Sequence, residues 1–231
     1  MRFLLLIISL SVVVLGQNNN IILLENQKVS GTVTSKTTDD IPSKKEYYSL
    51  KYYLETEDLL YLIGLSHMPL QTIGNTTLSS FPVEIKQKRE KLELAVAYKF
   101  YLKGSFYIAP ALAYIHTDTK TFQHLNNSGT ITSSSSHVVD TDYSLYAVMG
   151  YRPTKTSSAL LYLELNNDLL SSEYSKDYSS YQLNLSILQA ISKNVVLYFQ
   201  YNTLLKDKPA TSSNSGTKDV SGFSVGIGFR F

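Results

Sequence analysis

From Phe223 to Phe231 the sequence alternates without a break. Phe223, Val225, Ile227, Phe229 and Phe231 are bulky and apolar, while Ser224, Gly226, Gly228 and Arg230 between them are tiny or polar. Side chains of an extended chain leave on opposite sides at every second residue, so this stretch is a strand with one oily face. Val220 joins the bulky set but falls out of step by one. An apolar strand face that finishes on an aromatic residue suits a membrane interface, where aromatic girdles lie, better than a soluble sheet.

The same alternation recurs upstream. Tyr48, Leu50, Tyr52 and Leu54 oppose Ser49, Lys51, Tyr53 and Glu55. Leu92, Leu94, Val96, Tyr98, Phe100 and Leu102 oppose Lys91, Glu93, Ala95, Ala97, Lys99 and Tyr101. Further strands are expected over 59–68, 106–114, 143–152, 159–166, 181–187 and 195–202, with a local bulge at Pro110 because proline removes a ladder donor. Connections are tight after residues 56, 102, 152 and 190, and long over 69–88, 117–140, 168–177 and 206–219. Nine strands are plain. An even count requires one more, so the weakly alternating Asn26–Ser35 becomes the first strand of about ten. Eight remains the alternative, with one weak segment discarded and another merged into a loop.

Two readings of these faces compete. In a secreted β-sandwich the apolar faces meet in a core and the others carry charge into water. Here the non-apolar faces are instead Ala95, Ala97, Ala109, Ala111, Ala113, Gly150, Gly226, Gly228 and several tyrosines. Small residues and Tyr fit the crowded inside of a narrow barrel, and closure removes exposed strand edges. The expected fold is therefore all-β, a closed antiparallel up-and-down transmembrane barrel.

Composition agrees. The 231 residues hold 21 Lys plus Arg against 19 Asp plus Glu, too balanced to argue for nucleic acid. Charged residues make up 17%, below the roughly 25% of soluble domains. There are 18 Tyr and no Cys, so no disulfide framework, Cys-based metal site or lipid-anchoring Cys is expected. Residues 1–16 read as a secretory signal peptide, with Arg2 ahead of an apolar run from Phe3 to Leu15. At about 13 residues the run is short of the roughly 20 that span a bilayer. Residues 17–231 then form the barrel domain.

The closing strand, the signal and the alternation together resemble the small bacterial outer-membrane β-barrel proteins of the OmpA/OmpX-like group. That resemblance implies an outer-membrane location of Gram-negative type. It also implies contact with outer-membrane lipid, and a closing-strand signal (Ile227, Phe229 and Phe231) read by the barrel-assembly machinery. A monomer without nucleic acid or cofactor is expected.

Inward charges are expected at Lys51, Glu55, Glu93, Lys99, Arg152, Glu164 and Arg230. Buried charges of both signs must pair, so a salt-bridged plug is favoured over a small ion path. Lys86, Lys88 and Arg89 are candidates for lipid headgroup contact, weighed against an ordinary solvated loop. Enzymatic chemistry would need His, Ser, Asp or Glu gathered at one rim. His67 and His116 fall on the lipid-facing parity, and His124 and His137 in a long polar segment, with Asp140 and Asp142 near the latter. No catalytic or metal-ligand pattern is expected from these. The role expected is structural or a surface interaction through the long outer loops. A narrow channel is the alternative and a rim enzyme, lipid-modifying or proteolytic, the third.

Overall fold

A computed structural model describes residues 19–34, 40–78, 81–103, 105–127, 130–154, 157–166, 180–204 and 216–231. The expected signal peptide and the loop over 168–177 lie outside the described residues. Eleven β elements form one antiparallel sheet: β1 (Asn19–Thr34), β2 (Ile41–Glu55), β3 (Leu59–Leu78), β4 (Phe81–Tyr98), β5 (Phe100–Lys103), β6 (Phe106–Asn127), β7 (Thr130–Thr154), β8 (Ser157–Asn166), β9 (Ser180–Ala190), β10 (Val195–Leu204) and β11 (Gly216–Arg230). β4 and β5 face the same strand, β6, in one register, and only Lys99 separates them. Counted as one strand, they leave ten of the eleven elements.

Apart from β4 and β5, neighbours in sequence are neighbours in the sheet. In addition β1 pairs with β11, from Ile21 opposite Arg230 to Thr34 opposite Gly216. β4 pairs with β6, from Val83 opposite Leu125 to Ala97 opposite Ala111.

The first strand is longer than the sequence suggests. It begins at Asn19, ahead of the expected Asn26. Ile21 to Leu24 hides its alternation because both faces are apolar: Leu23 is fully buried while Leu24 is exposed. The segments 69–88 and 117–140 are not loops. They continue β3 into β4 and β6 into β7 as strand hairpins. Their residues alternate poorly because polar side chains fall on both faces, so period-2 hydropathy carries little information there. Thr and Val favour the extended chain instead.

Two local irregularities have clear causes. The bulge expected in β6 is absent: Pro110 opposes Ala147 of β7 with no register shift. The interruption falls on the other neighbour, at Lys99. Its backbone nitrogen donates to Asp58 O at 2.7 Å in the β2–β3 turn. Next to Val220, β11 carries a bulge. Pairing with β1 shifts between Ser30 and Thr32, and Asp219 takes a positive φ of 53°. A short polar residue accepts that conformation more readily than most. Val220 keeps the parity of the buried Ser224, and so lines the interior beside Val29 rather than the outer face.

The parity assignment holds elsewhere. Leu94, Val96 and Phe100 are 41%, 40% and 54% exposed, whereas Ala97, Ala109, Ala111 and Ala113 are buried. Tyr52 departs from its outward set: it is buried and its hydroxyl donates to Asn20 Oδ1 at 3.2 Å. The interior near the alanines is filled by Tyr107, whose ring lies across Gly150. A Cβ at Gly150 would stand 2.0 Å from the ring's Cζ. The pair is one inter-strand unit, since Tyr107 and Gly150 are directly opposite on β6 and β7. Gly150→Val is expected to lower the yield of the folded, heat-modifiable species on gels, and adding Tyr107→Ala to restore part of it.

Candidate functional site

Two surfaces carry chemistry: the interior of the sheet and its exposed apolar face. The interior is crossed midway by a belt of polar side chains. Lys51 of β2 points inward between β1 and β3, and its Nζ meets Glu25 Oε2 at 2.6 Å. Only 14% of the Lys51 side chain and 1% of that of Glu25 reach solvent. Gly64, directly opposite both Lys51 and Glu93, contributes no side chain of its own to this row. Glu93 accepts from Lys91 Nζ at 2.9 Å and from Tyr146 Oη at 2.9 Å.

Across the interior, Tyr53 packs against the buried cluster that holds Tyr198. Tyr198 donates to Gln200, whose Nε2 donates to Asn184 Oδ1 at 3.0 Å. The Lys51 ammonium lies 5.7 Å from the Tyr198 ring centroid, within cation–π range. Above the belt is a hollow of about 310 Å³, and below it one of about 110 Å³. Both have Tyr53, Leu62, Glu93 and Tyr146 in their walls.

A second pair closes the lower end. Lys99 Nζ meets Glu55 Oε1 at 3.2 Å and also donates to Thr56 O, with 1% of the Lys99 side chain exposed. The same ammonium lies 5.6 Å and 5.7 Å from the rings of Tyr101 and Tyr107. The break between β4 and β5 thus puts Lys99 where it can tie three strands and a turn together.

Of the seven inward charges expected, Lys51, Glu55, Glu93 and Lys99 all sit in these pairs. Arg230 lies at the lower end of β11. Arg152 and Glu164 lie in β7 and β8, and their side chains lie outside the described residues. Glu25 was missed because its strand was expected to begin one residue later. An acidic residue closing the run Ile21–Leu24 was the available signal.

The basic run of β4 does not act as one patch. Lys86 and Lys88 are on the outward face, tied to Glu84 at 3.0 Å and Glu90 at 3.1 Å. Arg89, of opposite parity, faces the interior. The four histidines stand along the outward face of β3, β6 and β7, each with one partner of its own. His137 Nε2 meets Asp118 Oδ1 at 2.9 Å, rather than Asp140 or Asp142. His124 meets Ser133 at 2.9 Å, His116 meets Thr141 at 3.2 Å, and His67 lies 3.8 Å from Glu90. Among the described residues no three His, Cys, Asp or Glu gather as metal ligands.

The exposed face is banded. Leu94, Val96, Ile108, Leu112, Leu145, Met149, Leu185, Ile187, Val225 and Ile227 form its middle. Exposed aromatics border it at one end with Tyr98, Phe100, Phe106, Tyr151, Phe229 and Phe231, and at the other with Tyr48, Tyr143, Tyr201 and Phe223. Phe106 stacks on Tyr151 at 4.3 Å, and Tyr114 meets Tyr143 edge-on at 5.6 Å. From Phe106 to Tyr114 the strand rises about 26 Å at ~3.3 Å per residue. After tilt this approaches the apolar height of an outer-membrane barrel, about 25 Å. Above the aromatics, polar contacts take over, as where Asn26 Nδ2 donates to Glu46 Oε1 at 2.7 Å.

No family model and no curated sequence matches the chain. Solved structures do resemble it. The translocator domain of the autotransporter NalP from Neisseria meningitidis aligns with a TM-score of 0.50 at 10% identity, over 100% of this chain and 95% of that one. The β domain of the Bordetella autotransporter BrkA aligns at 0.51 and 10%, covering 93% and 99%. The outer membrane protease OmpT of Escherichia coli aligns at 0.50 and 10%, covering 94% and 98%. At such identities the likeness is one of fold, and the fold is that of outer-membrane β-barrel proteins. The proteins that share it differ in role, so the fold names a class and not an activity.

Breaking one partner out of a buried pair leaves a charge without compensation, at a cost of about 3–5 kcal/mol. Lys51→Ala is expected to lower urea-unfolding stability in detergent by an amount of that order. Lys51→Met with Glu25→Leu is expected to recover most of it.

Proposed function

We propose that the chain is a closed, ten-stranded barrel spanning a Gram-negative outer membrane. In this reading its interior is plugged, and its role is a structural or surface-interaction one played by the strands that rise above the bilayer. The observation that carries the plug is the belt of Glu25, Lys51, Tyr53, Glu93, Tyr146 and Tyr198, set between two small hollows. Charges in a water-filled pore can stay hydrated; these are paired and nearly excluded from solvent, as in a filled lumen.

The upper halves of β3, β4, β6 and β7 support the surface role. They continue as hydrogen-bonded strands up to residues 78, 81, 127 and 130, well beyond the aromatic border. The segment 132–143 of β7 is exposed throughout.

This reading keeps the protein monomeric, in contact with outer-membrane lipid along the aromatic-bordered band. Ile227, Phe229 and Phe231 present the alternating apolar face that the barrel-assembly machinery would read. It assigns no catalysis. The separate single partners of the four histidines support that, since acid–base chemistry needs at least two such groups converging on one substrate position.

A refolded sample in planar bilayers is expected to show no sustained openings. Tyr53→Ala combined with Tyr198→Ala is expected to introduce them. Sustained openings of the unaltered protein would favour the narrow channel instead. Protease or lipase activity of that sample, lost in His137→Ala, would favour a rim enzyme.

A further inference from the structure

Among the described residues, three lysines of the interior face have carboxylate partners. Lys51 meets Glu25, Lys91 meets Glu93 and Lys99 meets Glu55. Arg89 makes no salt bridge or hydrogen bond to the described residues, and its Nε is buried without a partner. It lines the upper hollow of about 310 Å³ together with hydroxyl and amide groups, among them Ser49, Thr117, Gln200 and Asn202.

Two carboxylates share that lining. Glu93 is already held by Lys91 and Tyr146. Asp142 lies lower, since it opposes Ile115 of β6 whereas Arg89 opposes Thr119. Four residues of strand separate those levels by about 13 Å at ~3.3 Å per residue. Lys45, near the upper end of β2 above the aromatic border, lies within electrostatic reach of this guanidinium. Burial, and then the like charge of Arg89, hold its ammonium down to about 8. Two cations with no carboxylate between them among the described residues form an incomplete arrangement that an oxyanion would complete. A guanidinium offers such a group a planar, forked set of donors.

We propose that Arg89, with Lys45 within electrostatic reach, forms a binding site at the outer mouth of the interior for the phosphate or carboxylate group of a small hydroxylated solute. The proposal rests on the closed-barrel reading and adds to the plug: a solute enters from outside and stops above the belt. The hydroxyl and amide lining suits a polyhydroxylated molecule, while the charge comes from the two cations.

The test is calorimetric titration of the refolded chain in detergent with inorganic phosphate, glucuronate and, as an uncharged control, glucose. Both anions are expected to bind saturably and glucose not to. Arg89→Gln removes a charge-assisted interaction of about 1.5–3 kcal/mol, so it is expected to weaken anion binding roughly tenfold or more. Lys88→Gln, on the outward face and paired to Glu90, is expected to leave binding unchanged. Heat-modifiable mobility of each sample shows whether the barrel has formed. Absence of anion binding by a heat-modifiable sample, or equal binding by Arg89→Gln, overturns the site. Loss of heat-modifiability in the unaltered chain overturns the barrel instead. Phosphatidylglycerol added to the micelles is expected not to compete. Displacement of the small anions by it would assign the cations to a lipid headgroup and overturn the solute reading.

Discussion

Every backbone donor and acceptor in an apolar environment must find a partner within the protein, and in a β protein that partner lies on the next strand. The rest of this structure depends on that constraint. It explains why β1 returns to β11 and why β4 continues past its break at Lys99 into β5 against the same neighbour. Once strand pairing uses the backbone groups, side chains of alternate parity have only two destinations. Leu94, Val96 and Phe100 take one and Ala97, Ala109 and Ala113 the other.

The interior follows from its narrowness. Alanine and glycine make room, and the aromatic and charged side chains fill what is left. Tyr107 occupies the space over Gly150, and Lys51 and Glu93 flank Gly64. Charges placed there lose water, so they appear with partners: Glu25 with Lys51, Glu55 with Lys99. Among the described residues Arg89 departs from this pattern: its Nε is buried without a partner, at the hollow where the proposed site lies.

How much of this was legible in the sequence follows the same physics. Where one face meets an apolar medium and the other a polar interior, alternation is strong, and the strands at 92–102 and 223–231 were readable residue by residue. Where both faces meet the same environment, alternation fades. Residues 21–24 are apolar on both sides, which concealed Glu25 as the partner of Lys51. Residues 69–88 and 117–140 are polar on both sides, which made strands look like loops. Pro110 and Val220 each signalled an irregularity, but the break lies on the strand next to Pro110, and Val220 falls out of step because it has the inward parity of Ser224. The parity of Arg89 against Lys86 and Lys88 could have been counted in advance. Treating the segment as a loop removed the reason to count.

The central claim is that one parity of side chains faces lipid and the other fills the interior. The chain has no cysteine, so single cysteines introduced at Val96 and Ala97 report on adjacent positions without interference. With spin labels attached and the protein in lipid vesicles, the label at 96 is expected to collide freely with dissolved oxygen in the acyl region and to be mobile. The label at 97 is expected to be immobilised and shielded from it. Equal oxygen accessibility at the two positions, or the reverse order, would contradict the account.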